Sequence, residues 1–491
     1  MGRRGGFLLV VIVALILAGE APTARAASAN LGDVACATPG NCAAVGTAAT
    51  GSGGSSALLY TQSLGTWTRG TPALLPVDAG AGSFSSLFSV ACATAGACVA
   101  AGDYTDRDGA GQGLLVSQTN GTWAAGVAAP LPADAAAGSH QSAQLGDVTC
   151  PGPGNCTAIG EYVDAAGNGR PMMLTESNGT WATGIEGALP ADAASGPGRQ
   201  FARLSSVSCP AAGNCTAVGT YQDSAHRARG LVLTEATAMW ARGVAVRLPA
   251  DAGPDSLTNP SGHFNYGLNQ VSCRAVGECT VIGEYANRAG LEQGLVLTEH
   301  QGRWSRGVQP RLPANAATAR FRKSFVLWSA SCTSASNCTA VGWYADRSGQ
   351  GVPLVVTERN GRWQRGIELR APANVARNGD QATELEAVSC ASAGNCTAVG
   401  AYPARNNRLE GLLATETRGR WGRATPAILP ANGRQAAPAI SDEQPGLYRV
   451  ACASAGNCSA IGTYALGPDR PQGMLLSQAA GQWARAVQAL F

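Results

Sequence analysis

The sequence predicts an all-β chain folded as a single β-propeller of eight four-stranded antiparallel blades. Three observations predict it. Cysteines come in eight pairs with five residues between partners: Cys36/Cys42, Cys92/Cys98, Cys150/Cys156, Cys209/Cys215, Cys273/Cys279, Cys332/Cys338, Cys390/Cys396 and Cys452/Cys458. A tryptophan lies 31 residues after the first cysteine of each pair, at Trp67, Trp123, Trp181, Trp240, Trp304, Trp363, Trp421 and Trp483. No segment keeps a helical apolar period over the roughly ten residues a helix needs. A distance kept eight times marks a copied structural unit, and such periods belong to propellers or solenoids.

The first element is an export signal. Arg3 and Arg4 supply a charged start, Phe7 to Ala18 an apolar run, and Ala24-Arg25-Ala26 a small-residue cleavage site, so residues 1–26 read as a signal peptide and 27–491 as the propeller. About a dozen apolar residues is short for a membrane span, and no other run is long enough. The mature chain is expected to be secreted or on the extracellular surface, with no membrane span.

Each repeat then supplies its strands in order. In the fourth copy, Leu204 to Cys209 and Cys215 to Tyr221 are short, rich in β-branched residues, and joined by the turn Pro-Ala-Ala-Gly-Asn. A third run, Gly230 to Glu235, follows a polar loop, and a fourth, Trp240 to Val246, follows a tight turn. Connections this short give an antiparallel meander. The tight turn carries Asn120-Gly121, Asn178-Gly179 and Asn360-Gly361, the pair that supplies the positive φ angles of a hairpin. Glycine holds its second position in seven copies and Ala238 in the fourth, where a strained or altered turn is expected. The copies are in phase with both ends of the chain, from Leu31 to Phe491, so a closed eight-bladed ring is expected. A seven-bladed ring with an extra unit and an open solenoid are the alternatives.

The cysteines read as disulfides, since an even count at regular spacing fits an oxidising compartment. Each would close a very small loop, so the bridges are expected to be local staples of the first hairpin. Metal binding is disfavoured: zinc pairs sit about two to four residues apart, and only His140, His226, His263 and His300 are available. No metal or cofactor is expected. Without the signal the chain has 32 basic and 31 acidic residues, which gives no electrostatic footprint for nucleic acid or an anionic membrane. A monomer is expected.

The pattern VSCxxxGNCTAVG, then an apolar strand ending Thr-Glu, then Asn-Gly-x-Trp resembles the blades of secreted bacterial propellers of the sialidase-like BNR or Asp-box group. The resemblance spans residues 31 to 491 and implies a propeller fold. That group's box is Ser/Thr-x-Asp-x-Gly-x-Thr-Trp, whereas Thr175-Glu176-Ser177-Asn178-Gly179-Thr180-Trp181 is one residue shorter and lacks the aspartate. The resemblance is thus to a degenerate relative. The Arg-Ile-Pro segment of active sialidases has no counterpart, because Arg247-Leu-Pro and Arg311-Leu-Pro fall at repeated connector positions.

Spacing from each tryptophan to the next cysteine varies from 25 to 33 residues while the blade interior does not. Binding residues favour loops on a rigid scaffold, so the face carrying the connectors is expected to be functional. Two connectors are aromatic-rich and supply the ligand candidates: His263, Phe264 and Tyr266 in one, and Phe321, Arg322, Phe325 and Trp328 in the next. Stacking on a sugar or partner side chain suits such residues, with Arg322 as an anchor. No catalytic residues are assigned. Tyr104, Tyr162, Tyr221, Tyr285, Tyr344, Tyr402 and Tyr464 repeat, as do Glu176, Glu235, Glu299, Glu358 and Glu416, with Gln62, Gln118 and Gln478 in the remaining copies. Repetition points to packing. The expected function is a non-catalytic binding propeller for a glycan, cell-wall component or protein. A propeller-type glycan hydrolase or lyase is the alternative, and a structural surface protein the second alternative.

Overall fold

The computed structural model describes residues 29–51, 53–196, 200–253, 257, 267–318, 324–334, 336–376, 382–405, 408–433, 445–466 and 471–491. The signal segment, His263, Phe264, Tyr266, Phe321 and Arg322 lie outside the described residues. Eight antiparallel sheets follow one another along the chain, each made from one contiguous repeat. In the fourth blade the strands are Ala202–Ala211, Asn214–Gln222 and Ala228–Ala236, with an outer strand in two pieces, Met239–Trp240 and Val244–Ala245. The outer strand is therefore not continuous as read from the sequence. Between its pieces the Gly243 amide turns away and donates to the Ala188 carbonyl, 2.7 Å away in the connector leaving the third blade.

That bond recurs in all eight seams, and it closes the ring. Gly126 donates to Leu74, Gly184 to Pro130, Gly307 to Arg247, Gly366 to Arg311, Ala424 to Arg370, Ala486 to Ile428, and Gly70 to Leu490 between the first blade and the last. The first inner strand, Ala29–Thr38, packs on the last, Gly446–Ser454, as the other inner strands pack on their neighbours. Eight blades in a closed ring replace the seven-bladed and open alternatives.

The core is shared between neighbours. Ile159 and Met173 of the third blade, for example, pack with Val207, Leu231 and Leu233 of the fourth, as expected when each unit buries its apolar face on the next.

All eight predicted disulfides are formed, with Cα atoms 4.0 to 4.1 Å apart across the first hairpin. The expectation that they are only local staples needs correction, because one sulfur of each bridge is part of the buried seam between blades. The second cysteine of every pair, Cys42, Cys98, Cys156, Cys215, Cys279, Cys338, Cys396 and Cys458, is only 2% to 5% exposed. Among the first cysteines, Cys36, Cys92, Cys150, Cys390 and Cys452 are half-buried, and Cys209, Cys273 and Cys332 are buried. The cause lies in the strand that follows the turn, which faces the preceding blade. In six seams a hydroxyl of that preceding blade meets the second sulfur at 3.3 to 3.7 Å: Thr157 on Cys215, Thr216 on Cys279, Thr280 on Cys338, Thr339 on Cys396, Thr397 on Cys458 and, across the ring closure, Ser459 on Cys42. A disulfide sulfur has no proton, so the hydroxyl donates. Ala43 and Val99 take the hydroxyl's place in the other two seams, where Cys98 and Cys156 pack into the apolar core instead.

The repeated tyrosines are buried latches. Tyr104, Tyr162, Tyr221 and Tyr285 donate to Asp78, Asp134, Asp192 and Asp251 at 2.8 to 2.9 Å. Tyr344, Tyr402 and Tyr464 donate to Asn315, Asn374 and Asn432 at 2.9 to 3.2 Å. Each acceptor sits on the connector arriving from the preceding blade, so the phenol pins connector to sheet. The first blade has Ala48 at this position.

All eight outer turns have two successive positive φ angles, including Thr237 and Ala238 at 49° and 61°. Ala238 therefore adopts the glycine geometry, and the turn is strained rather than altered.

Candidate functional site

Each inner strand carries a β-bulge four residues before its first cysteine, and a bulge can re-aim a side chain. The register slips between Leu31 and Asp33, Leu87 and Ser89, Leu145 and Asp147, and equivalently in the other blades. A glycine on the next strand, four residues after each second cysteine, accommodates the slip. A Cβ on Gly102 would lie 1.9 Å from the Ser86 carbonyl oxygen, so no other residue fits without backbone movement. The bulged residues are Gly32, Phe88, Gly146, Ser205, Asn269, Trp328, Glu386 and Tyr448.

Most of them, with the residues that follow, converge on one cavity of about 250 Å³ on the ring axis, to which all eight blades contribute. Phe88 and Trp328 are 36% and 38% exposed within it. They belong to the second and sixth blades, which are opposite in a ring of eight, so the two aromatic side chains stand across the channel from each other. Around them are Asp33, Ser89, Asp147, Gln270, Glu386 and Arg449. The cavity continues through Gly146, Ser205 and Asn269 into a recess of about 260 Å³ that holds Gln144, Glu161 and Arg203. Gln144 and Arg203 lie at the starts of inner strands and Glu161 pairs with Gln144 from the second strand, so the recess is on the connector side of the channel.

The carboxylates of the wall are tied into the backbone. Asp33 accepts from the amides of Val34 and Val90 at 2.8 and 3.1 Å, and Asp147 from those of Val148 and Val207, both at 2.9 Å. Each thereby clasps its own inner strand to a neighbour. Ser89, Ser206, Gln270 and Ser329 accept a neighbour's amide in the same way. Ser89 Oγ stands 3.3 Å from Asp33 and 2.9 Å from Asp147 and has one hydrogen to donate, so it serves one carboxylate at a time. Burial pushes the Asp147 carboxyl up to about 6, opposed by its hydrogen bonds and assisted by the charge of Asp33. Burial also raises Asp33, while the Arg449 guanidinium pulls it back. Burial raises Glu386 too, again moderated by Arg449.

Of the described candidates, Trp328 is in the channel and Phe325 is not. Phe325 is wholly buried and packs with Leu327, Tyr344 and Leu354 between blades. Phe88, which is not among the ligand candidates, is also a channel residue. Its signal was available: the position four before each first cysteine carries seven residue types in eight copies.

A larger cleft of about 800 Å³ lies on the connector face between the sixth and seventh blades, near Glu368, Arg370 and Arg423. Two of its arginines, Arg405 and Arg423, are part of the scaffold. Arg423 donates to the Ala371 carbonyl at 3.0 Å as Arg242, Arg365 and Arg485 donate to Leu189, Leu312 and Leu429.

No family model matches the chain, and no curated protein matches it. Among solved structures, the chain is similar to the BP39L lectin from Burkholderia pseudomallei, at 16% identity and a TM-score of 0.39 over 81% of this chain and 99% of that one. It is similar to a polysaccharide lyase of family PL25, an ulvan lyase, at 8% identity and a TM-score of 0.43 over 79% and 91%. The WD40 domain of SCAP from fission yeast gives 8% identity and a TM-score of 0.41 over 93% and 97%. Likenesses this distant assign no role to any residue of the channel.

Proposed function

We propose that the protein is a secreted, non-catalytic binding propeller that takes the terminal ring of a glycan into its channel from the connector face. The observation that carries this reading is the convergence of dissimilar side chains from all eight blades on one cavity, two of them aromatic and opposed. A sugar ring offers apolar C–H faces for stacking and hydroxyls at its edge, which suits Phe88 and Trp328 with Gln270, Asn269 and Ser205 around them. Asp33, Asp147 and Glu386 outnumber Arg449, which favours a neutral or amine-bearing sugar over an acidic one. Secretion is supported by the signal-like residues 1–26 and by eight disulfides. Among the described residues, no helix is long and apolar enough to cross a membrane.

A glycan array read for both binding and turnover tests the reading. Capture of neutral or amino glycans without turnover is expected, and loss of that capture in Trp328→Ala. Binding that Trp328→Ala and Phe88→Ala both leave intact removes the channel from the reading.

A hydrolase is the second reading, favoured by one observation: Asp33 and Asp147 flank a single serine, and Asp147 is pushed up to about 6. Glycoside hydrolysis uses two carboxyl groups, one of them a raised acid. Against it, both carboxylates are already committed to backbone amides. Turnover abolished by Asp147→Asn would decide for the enzyme.

A further inference from the structure

Five residues before each tryptophan, the blades carry either glutamine or glutamate: Gln62, Gln118 and Gln478, or Glu176, Glu235, Glu299, Glu358 and Glu416. All eight side chains are between 1% and 5% exposed. They lie in the seams on the cysteine face, away from the connectors. The repeats serve as an internal comparison, because one backbone setting is filled by two chemistries.

In the glutamine blades the job of the side chain is visible. Nε2 of Gln62, Gln118 and Gln478 donates to the carbonyl three residues on, in the outer turn, at Gly65, Gly121 and Gly481 and distances of 3.2 to 3.3 Å. The Gln62 and Gln118 amides also reach a hydroxyl of the preceding blade, Ser477 at 2.6 Å and Thr61 at 3.2 Å. The turn geometry is the same in every blade, so the carbonyls of Gly179, Ala238, Gly302, Gly361 and Gly419 stand ready in the other five. There the Oε2 atoms of Glu176, Glu235, Glu299, Glu358 and Glu416 have no hydrogen-bond partner among the described residues. An ionised carboxylate can only accept, and so can a carbonyl, so the two oxygens repel. A protonated carboxyl carries the missing hydrogen and repeats the glutamine bond atom for atom.

We propose that Glu176, Glu235, Glu299, Glu358 and Glu416 are held as neutral carboxylic acids, each donating its hydrogen to the carbonyl of its own outer turn and locking a blade seam. Deprotonation turns each lock into a buried charge facing a carbonyl, so the ring of blades is a pH-sensitive closure, tightest in acid. The charged groups facing the ring are few. Glu278 stands near Glu299 and Glu358 and is itself paired with His300 at 2.9 Å. Arg359 faces Glu416, and with Arg418 and Arg420 it lines the groove that Glu358 and Glu416 share. Burial raises all five carboxyls, and Glu299 and Glu358 reach about 7 with the charge of Glu278 adding to burial.

The sign follows from linkage. An unfolded glutamate titrates near 4.3, roughly, and a folded value above that means the folded chain binds more protons. The stabilisation is full below about pH 4 and is lost as pH rises through about 7 for Glu299 and Glu358. A shift of that size changes the folding constant by about 500-fold per residue across the full titration.

The test is chemical denaturation of the mature, disulfide-intact protein from about pH 4 to 8, beside the variant with all five glutamates changed to glutamine. The wild-type protein is expected to weaken as pH rises while the variant stays flatter and is the more stable at pH 8. Parallel pH profiles, or a variant weaker than wild type at pH 8, overturn the proposal. Should the fivefold variant fail to fold, Glu299→Gln and Glu358→Gln are compared singly. Infrared spectra of the wild type at pH 6 give a second readout: a protonated-carboxyl band that shrinks in Glu299→Gln is expected. A band of unchanged intensity in that variant overturns the proposal.

Discussion

The seams between blades and the channel on their axis are made from the same inner strands under opposite rules. In the seams one residue type dominates each position and meets one kind of partner: tyrosine to a connector aspartate or asparagine, hydroxyl to disulfide, outer-strand amide to connector carbonyl. Along the axis the bulged position carries seven residue types in eight copies. The difference has a geometric cause. A ring closes only if its neighbour contacts together turn the chain through a full circle, so seam positions admit few solutions. At the axis the bulged position lies outside the regular ladder and accepts many side chains, some of which, like Ser205 on the Leu268 carbonyl, still bond a neighbouring blade. Residues there are free to differ, and a single ligand meeting eight blades requires that they do.

The largest expected effect lies in a seam. Tyr221 is wholly buried and donates to Asp192 at 2.8 Å. Tyr221→Ala removes a core ring and leaves that aspartate without its donor, so a loss of about 3–5 kcal/mol is expected in urea denaturation. Ligand capture by the folded fraction should be unchanged. A variant with altered capture and unchanged stability would erase the distinction between seam and channel.

The channel should respond the other way. Trp328→Ala truncates a side chain that is 38% exposed and belongs to no seam. Glycan affinity is expected to fall about 10- to 100-fold with stability held within about 1 kcal/mol, because surface truncation outside packed features costs little. Isothermal titration and urea denaturation of the same preparation separate the two quantities. Stability loss as large as that of Tyr221→Ala would make Trp328 a packing residue.

What could be read before the fold was known divides along the same line. Blade number, strand order and all eight disulfides were written in spacings, because seam rules repeat and repetition is visible in one chain. The tyrosines and the buried glutamates could be recognised as structural on the same ground. Spacing pairs Cys42 with Cys36 but does not say which sulfur meets the next blade, so the part the bridges play in the seams was hidden. The channel could not be read so directly. A bulge inserts one residue without a signature of its own, so nothing in the sequence motifs singles out Phe88. Phe325 and Trp328 looked alike for a related reason. They are three residues apart on one strand, and in an extended chain odd separations face opposite ways, so one enters the core while the bulge sends the other to the axis. The variety at the bulged position was the available sign, and it is legible only once the copies are aligned on their cysteines.

The smallest effect tests how strictly the seam rule is enforced where the chain itself breaks it. Ala238 occupies the one outer turn without glycine, yet its φ of 61° matches the glycines of the other seven. A left-handed conformation costs a residue with a Cβ about 1–2 kcal/mol, part of which glycine gives back through its freer unfolded chain. Ala238→Gly is therefore expected to stabilise the protein by about 1 kcal/mol in thermal or urea unfolding and to leave glycan capture untouched. The neighbouring Thr237, also at positive φ, remains, so the gain belongs to position 238 alone. If the variant is no more stable than wild type, the strain at Ala238 is already relieved by its contacts. Those contacts include the Gly213 carbonyl, which accepts from the Ala238 amide at 2.8 Å. A gain would instead show that closure of the ring imposes the turn on a residue that does not favour it.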